Sequence, residues 1–378
     1  MVPTVSNDLA FQHPDIKPMI AYFVTDYFWP GIGGLENSIC YLATSLQTRV
    51  PVEILTTAPG KEMLPGSSLK IKRFDPCTGD AYREMAAYIQ TRPLPAALCF
   101  MGFSDRWTEE HLQFIDHARR SITDLIAFKI PSLHEFSQYI DCEQRLRHFR
   151  SVKYALCLNS EIRRELKEHG VEGEKLVELT NGVPTSHFTP VSKRRKAELR
   201  QQFEIDDKPT FIFPGRFAGR KKVGLLIEAF SRVESANLIL LGYPDDRFDQ
   251  EAAVTLPKDH RRIRILGPTF DVRPYLQAAD VFVSASSAEG MPNALLEAFS
   301  CGLPALVSDI AGHREVVDAG SNGRFFRTDD PDDLIEGIRW FAGNQHLYPG
   351  LSERAREKAV EHFDIERVAD LYAKLLIN

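Results

Sequence analysis

Glu289 and Glu297 stand eight residues apart in the stretch Glu289-Gly290-Met291-Pro292-Asn293-Ala294-Leu295-Leu296-Glu297-Ala298-Phe299-Ser300-Cys301-Gly302. What two carboxylates can do depends on where they sit. Ahead of them, Ala279-Asp280-Val281-Phe282-Val283-Ser284-Ala285 reads as a strand. A helix is predicted from about 292 to 301, with Pro292 near its start and Gly302 just past its end. That helix is apolar almost all round, so it is expected to be buried. A carboxylate in its middle then costs on the order of several kcal/mol unless something hydrogen-bonds it. The loop before the helix aims free backbone N–H groups at one spot, which suits a phosphate. Together these features point to a ligand carrying both phosphates and hydroxyls. Taken alone, Glu297 also fits a buried helix whose Glu pairs with an Arg; the flanking residues weigh against that.

Cations for such a ligand lie upstream. Phe211-Ile212-Phe213-Pro214-Gly215-Arg216 reads as a strand ending in a turn, followed by a basic loop through Lys221 and Lys222 and then a helix. Arg216 and Lys221, facing a strand end, can neutralise a diphosphate, a task otherwise often given to a divalent metal. Near the start, Gly31-Ile32-Gly33-Gly34-Leu35-Glu36 follows the first predicted strand and opens the first helix. It is not the dinucleotide fingerprint, because Glu36 stands where a third glycine is needed. Glycine there lets a ligand approach the backbone, and a tight strand–helix turn explains it as well.

The elements that must hold these residues alternate throughout. Strands are expected at about 18–25, 51–57, 69–74, 96–101, 124–130 and 154–158, then at 210–214, 237–241, 263–266, 280–284 and 304–308. Helices fall between them, including 34–48, 108–119 and 160–169, then 222–234, 271–277, 293–301 and 331–343. This is the pattern of α/β folds with parallel sheets, here two doubly wound domains of comparable size. Ligands of such sheets bind at the carboxyl ends of strands, in this case in the cleft between the domains. Residues 183–200, with two prolines and Lys193-Arg194-Arg195-Lys196, are a candidate linker. The tail from Phe363 makes a final amphipathic helix with Asp364 as its N-cap.

The Glu289–Glu297 stretch, continued by Leu303-Pro304-Ala305-Leu306-Val307-Ser308-Asp309-Ile310-Ala311-Gly312-His313-Arg314-Glu315, resembles the E-x7-E motif of retaining glycosyltransferases of the GT-B fold, in glycosyltransferase family 4. Arg216 and Lys221 match that family's G-R-x4-K segment, although Lys222 stands where the family usually has Gly. Gly33-Gly34 resembles its Gly-Gly loop, and Thr180-Asn181-Gly182-Val183-Pro184 its N-G-V hinge. The resemblance implies a GT-B fold: two Rossmann-like domains facing across a cleft. Residues 1–190 would form the acceptor side and 191–360 the nucleotide-sugar side, with a helix at 361–378 crossing back to the first domain. It further implies that Glu297 binds ribose hydroxyls and Glu289 the hydroxyls of the donor sugar. Gly33, Gly34 and the backbone at Gly290, Met291 and Asn293 would line sugar and phosphates, while Arg216 and Lys221 stabilise the departing diphosphate. The family has an active-site His after a first-domain strand; His134 is the candidate, later after its strand than usual, and His111 a poorer one. The implied activity is transfer of a sugar from a nucleoside diphosphate sugar of UDP or GDP type to a hydroxyl of a glycan or lipid-linked acceptor, as in polysaccharide or glycolipid assembly.

Composition agrees with that class and narrows it. A chain of 378 residues, 43% hydrophobic and 26% charged, is that of a soluble globular protein with two cores. The formal net charge of −6 gives no support for nucleic-acid binding. The N-terminus to about Lys17 is polar and reads as no secretory signal, and the apolar runs are strand-sized. The six cysteines are scattered with no C-x-x-C pair, which points to a reducing compartment, no structural zinc and a cytoplasmic protein. Arg145, Arg147, Arg150, Lys153, Arg163, Arg164 and Lys167 leave peripheral membrane contact open, with a solvated helix face as the plainer reading. No metal site and no cofactor beyond the donor are expected. Two rivals are a nucleotide-sugar epimerase of GT-B fold, which would convert donor without acceptor, and a catalytically silent sugar-nucleotide-binding subunit.

Overall fold

The computed structural model describes residues 19–28, 31, 33–61, 68–92, 96–102, 109–121, 126–130, 150, 152–243 and 261–377. The first domain is built on strands β1 (Ile20–Thr25), β2 (Val52–Thr56), β3 (Lys70–Arg73), β4 (Ala96–Gly102), β5 (Ile126–Ile130), β6 (Tyr154–Cys157) and β7 (Leu176–Glu178). They pair in parallel in the order β3-β2-β1-β4-β5-β6-β7. The central strands are buried on both faces, which is why they are apolar runs, whereas β3 at one edge is Lys70-Ile71-Lys72-Arg73 with Ile71 buried. Tyr22 and Val24 join Leu98 and Phe100 in the core on one face; Ala21 and Phe23 join Ala97 and Cys99 on the other. Helices α1 (Gly34–Leu46), α2 (Ala81–Gln90), α3 (Glu109–Ser121) and α4 (Ser160–Glu168) cover the sheet.

The second domain repeats the plan with β8 (Thr210–Pro214), β9 (Asn237–Leu241), β10 (Ile263–Leu266), β11 (Val281–Ser284), β12 (Ala305–Ser308) and β13 (Gly323–Phe326). All pair in parallel, in the order β10-β9-β8-β11-β12-β13. Its helices are α5 (Lys193–Gln202), α6 (Val223–Ser231), α7 (Arg273–Ala278), α8 (Asn293–Ser300), α9 (Ala311–Arg314), α10 (Pro331–Gly343) and α11 (Tyr348–Phe363), and α12 (Ile365–Ile377) follows them. In each sheet the strand order reverses once, between β1 and β4 and between β8 and β11. The loops leaving the carboxyl ends of those strands therefore border a crevice.

One expectation needs correcting. The charged cluster inside the expected linker is not a linker but the start of α5, capped by Ser192, whose hydroxyl accepts from Arg195 N. Two of its cations reach the sheet of the second domain, Lys196 pairing with Asp280 at 2.6 Å and Arg200 with the same carboxylate at 2.9 Å, while Arg194 and Arg195 pair with Glu198 on the helix itself. β7, β13, α2 and α11 were not anticipated. The passage between domains is short, and the chain makes it twice. At Val183 it enters the second domain, and after α11 it returns. The two passages are laced by Val183 N donating to Phe363 O (2.9 Å) and Ile365 N donating to Val183 O (3.0 Å). Asp364 accepts from Glu366 N at 2.9 Å as the cap of α12, and from the Thr185 hydroxyl. α12 packs on α1, burying Ile365, Val368, Tyr372 and Leu376 in the first domain's core, with Arg49 paired to Asp370 and Glu366 at its rim.

Candidate active site

Three loops of the second domain bring charge to one point. The turn after β8 carries Arg216, Arg220 and Lys221; the loop after β11 carries Ser286 and Glu289; His313 sits on α9 after β12. The Glu289 carboxylate accepts from Lys221 Nζ, from Ser286 Oγ at 2.8 Å and from Arg220 at 3.1 Å. Burial opposes its charge, but Lys221 and Arg220 outweigh burial and hold the carboxyl well below the usual carboxylate range. Behind it, His313 is buried, and burial drives its imidazole down to about 4, so the ring is neutral. Its Nδ1 lies 2.8 Å from Ser308 O and carries the proton that bonds that carbonyl, which leaves Nε2 without a hydrogen-bond partner among the described residues. Gly312 presses against the same loop: a Cβ there would lie 2.5 Å from Glu289 O. Lys222 has φ +50°, in the left-handed region where a glycine is the easier residue, so the turn keeps its path with a lysine in that place. Arg216 is exposed and forms no ion pair among the described residues, though its charge acts on Lys221.

Across the crevice, α8 and α1 meet at their N-termini. Asn293 opens α8 and donates from Nδ2 to Gly34 O, the first residue of α1. The free N–H groups and dipole ends of both helices thus converge on one region, a setting for an anion. Gly33 precedes α1 with the Glu36 side chain packed so close that a Cβ would strike it, and nothing lies within 4 Å of where a Cβ on Gly34 would be. First-domain asparagines hold the backbone between Glu289 and α8. Asn159, at the N-cap of α4, donates to Gly290 O at 2.8 Å, and Asn181 donates from Nδ2 to Met291 O at 3.0 Å. A cavity of about 510 Å³ opens beside this contact, with Ser160, Glu161 and Arg164 on one wall and Glu289, Asp309 and Arg314 on the other.

Glu297 does not join Glu289. It is buried at 3% exposure on the α8 face turned to α1, where its Oε1 accepts from the Tyr41 hydroxyl at 2.9 Å. Burial raises its carboxyl to about 7, against the opposing hydrogen bonds of Tyr41 and Asn37. His134 lies outside the described residues. His111 is buried on α3, with Nε2 2.9 Å from Asp26 and 2.7 Å from the Tyr82 hydroxyl. Thr57 donates to the same aspartate at 2.9 Å, so this cluster braces the carboxyl ends of β1 and β2. Of the residues singled out in the sequence, the structure gathers Lys221, Glu289, Gly290, Met291, Asn293, Gly33 and Gly34 at the crevice, with Arg216 at its exposed edge. Sequence reasoning missed Arg220, Ser286, His313, Asn159 and Tyr41. Only Arg220, in the same basic loop as Lys221, carried a local signal. Among the described residues no group of three or more His, Cys, Asp or Glu side chains could hold a metal ion. Nor is any described helix long and apolar enough to cross a membrane. On α4, Arg163 pairs with Glu178 at 3.5 Å and Arg164 with Glu161 at 3.5 Å, which accounts for part of the basic stretch as a solvated, paired face.

Comparison with known proteins bears on this arrangement. Residues 208–344, which hold every second-domain loop just described, match the family Glycosyl transferases group 1. The chain is 29% identical over 252 residues to the lipopolysaccharide core biosynthesis glycosyltransferase LpsE of Rhizobium meliloti (strain 1021), covering 67% of this chain and 70% of that protein. It is 30% identical over 241 residues to the UDP-Gal:alpha-D-GlcNAc-diphosphoundecaprenol alpha-1,3-galactosyltransferase of Escherichia coli, covering 59% of this chain and 60% of that one. Its fold is similar to that of Anabaena Alr3699/HepE in complex with UDP-glucose, with a TM-score of 0.78 at 17% identity over 94% of this chain and 98% of that one. The fold is therefore GT-B, its residues 208–344 form a domain of the glycosyl transferases group 1 type, and its relatives are glycosyltransferases.

Proposed function

We propose that the protein is a retaining, metal-independent glycosyltransferase of family 4 type, which moves a sugar from a nucleoside diphosphate sugar to a hydroxyl of a glycan or lipid-linked acceptor. The observation that carries this reading is the meeting of the Arg216–Lys221 turn, the Glu289 loop and the paired N-termini of α8 and α1 at one crevice. The donor diphosphate would lie against those helix starts with Arg216 and Lys221 beside it. There they stabilise the charge that builds on the leaving group, the largest electrostatic demand of the reaction. Lys221 has further N–H donors after its bond to Glu289, and that bond aims it. Glu289, kept ionised by its cations, retains lone pairs for the donor sugar's hydroxyls. Glu297 would take the ribose hydroxyls once α1 releases it.

Neither carboxylate suits a covalent nucleophile: one is held by two cations and a serine, the other lies under α1. This favours front-face displacement through an oxocarbenium-like transition state, with the leaving phosphate taking the acceptor's proton. The separation of the two glutamates is therefore no glycosidase pair. With two cations for the diphosphate, the reaction needs no divalent ion: turnover by the pure protein is expected to survive EDTA, and loss that magnesium restores would reject metal independence. The names of the relatives support a UDP-type donor and a lipopolysaccharide or lipid-diphosphate acceptor, which suits a cytoplasmic protein working at a membrane surface.

Calorimetric titration of UDP, GDP and ADP into the wild type and Glu297→Ala tests the reading. One nucleotide is expected to bind, and the substitution to weaken it by about 1–3 kcal/mol, the loss of a charged hydrogen bond. A nucleotide that binds both proteins equally would remove Glu297 from the site. Donor conversion without any acceptor would replace transfer by epimerisation.

A further inference from the structure

Lys129 stands apart from the cations described so far. It lies on β5 at 4% exposure, and among the described residues no carboxylate pairs with it. Among the described residues its amine makes one hydrogen bond, to Ser38 Oγ at 2.8 Å. Burial alone brings it from its ordinary 10.5 down to about 7, the sign of an ammonium held out of water without a counter-charge. A methionine or leucine would fill that place in the sheet at less cost. The position therefore needs a donor.

The bond continues beyond Ser38. The Ser38 hydroxyl donates to Asn181 Oδ1 at 3.1 Å. Asn181 in turn donates from Nδ2 to Met291 O at 3.0 Å, and its backbone N–H faces Met291 Sδ at 3.3 Å. Ser38, Asn181 and Met291 are all buried. The chain thus runs from β5 through α1 and the hinge into the loop between Glu289 and α8, from one domain to the other. Lys129 donates to Ser38, and Ser38 spends its own proton on Asn181 Oδ1. The Asn181 amide is thereby held from both ends, its Oδ1 by Ser38 and its NH2 by the Met291 carbonyl. Without the lysine, Ser38 loses the donor that steers its proton to Asn181 Oδ1, and the amide is held from the Met291 side alone.

We propose that Lys129 is a positioning residue for the 289–293 loop: acting through Ser38 and Asn181 it fixes the Met291 backbone, and with it the placement of Glu289 and of the first N–H groups of α8. Its consequence for catalysis rests on reading that loop as the donor site. The chain of bonds does not, and its test needs no nucleotide.

The test is hydrogen exchange followed by mass spectrometry on the full chain, comparing wild type, Lys129→Met, Ser38→Ala and the double variant. Lys129→Met is expected to melt at or above the wild-type temperature, because a buried charge is gone, while the peptide spanning 286–296 exchanges at least about tenfold faster. Ser38→Ala should produce the same local acceleration, and the double variant no more than either single one. Wild-type exchange of that peptide in Lys129→Met, or accelerations that add in the double variant, would overturn the proposal. If Lys129→Met does not accumulate as folded protein, Ser38→Ala decides alone, since it cuts the same chain one bond further on and leaves the lysine in place. Unchanged exchange there overturns the proposal equally.

Discussion

Glu297 holds its proton to a pH where most glutamates have lost theirs. Its carboxyl rises from its ordinary 4.5 to about 7 because α1 and α8 exclude water from it. The sign of the resulting pH dependence follows from linkage. Below pH 4.5 both folded and unfolded chains are protonated there; between 4.5 and 7 the unfolded chain releases the proton first. Stability is thus fully present below 4.5 and lost as pH rises through about 7, by about 3 kcal/mol at 1.36 kcal/mol per unit. Glu297→Gln should flatten that dependence, so urea midpoints at pH 5 and pH 8 should converge in the variant; an unchanged gap would place the dependence elsewhere. At this scale the sequence was legible where the partners are local. Glu289 and Lys221 stood out because each ends a strand in a loop of unusual composition. The partner of Glu297 did not, because Tyr41 lies 256 residues away and nothing in a helix sequence says which side chain will face another domain. Ser286 and His313 were invisible for the same reason, as small or neutral residues made relevant by three loops folding together.

Helix α9 is four residues long, yet it sets the geometry of the loop that carries Glu289. Gly312 lets α9 lie directly on Glu289 O, and a methyl group there has no room. Gly312→Ala is therefore expected to shift Glu289 and its cations by a substantial fraction of an ångström. Donor turnover should fall roughly 10- to 100-fold, as small misplacements in such sites do, with a modest drop in melting temperature. Full activity in that variant would mean the loop gives way without consequence. Most strands could be read from sequence because doubly buried strands are short apolar runs bounded by turn residues. The exceptions have local causes. β7 and β13 are three and four residues long and include charged residues, Glu178 and Arg324. α5 looked like a linker because its lysines and arginines read as solvent-facing, whereas two of them reach back to Asp280. α11 begins with Tyr348-Pro349-Gly350, a run that reads as a turn until the proline is seen in the first helical turn, where it costs nothing.

The molecule as a whole depends on its last helix. α12 buries Ile365, Val368, Tyr372 and Leu376 against the first domain. At roughly 1.5–3 kcal/mol each, these four rival the entire stability of a typical domain. A chain ending at Asp364 is expected to give little soluble protein and no cooperative melt by circular dichroism; a wild-type melting curve would show the contact to be idle. The return of the chain also decides how the two halves can move. Because Val183 and the Phe363–Ile365 passage are bonded to each other, both covalent crossings share one location and act as a single pivot. Motion of one domain against the other is then expected to be a swing, in which each atom travels in proportion to its lever arm from that point. Tyr41, whose ring packs on Phe188 just beyond the pivot, has a short arm. The bond from Ser160 to Glu315, exposed between the domains, has no such tie to the pivot. A small swing is therefore expected to widen the Ser160–Glu315 side most and to part Tyr41 from Glu297 last, like a jaw whose back teeth open least.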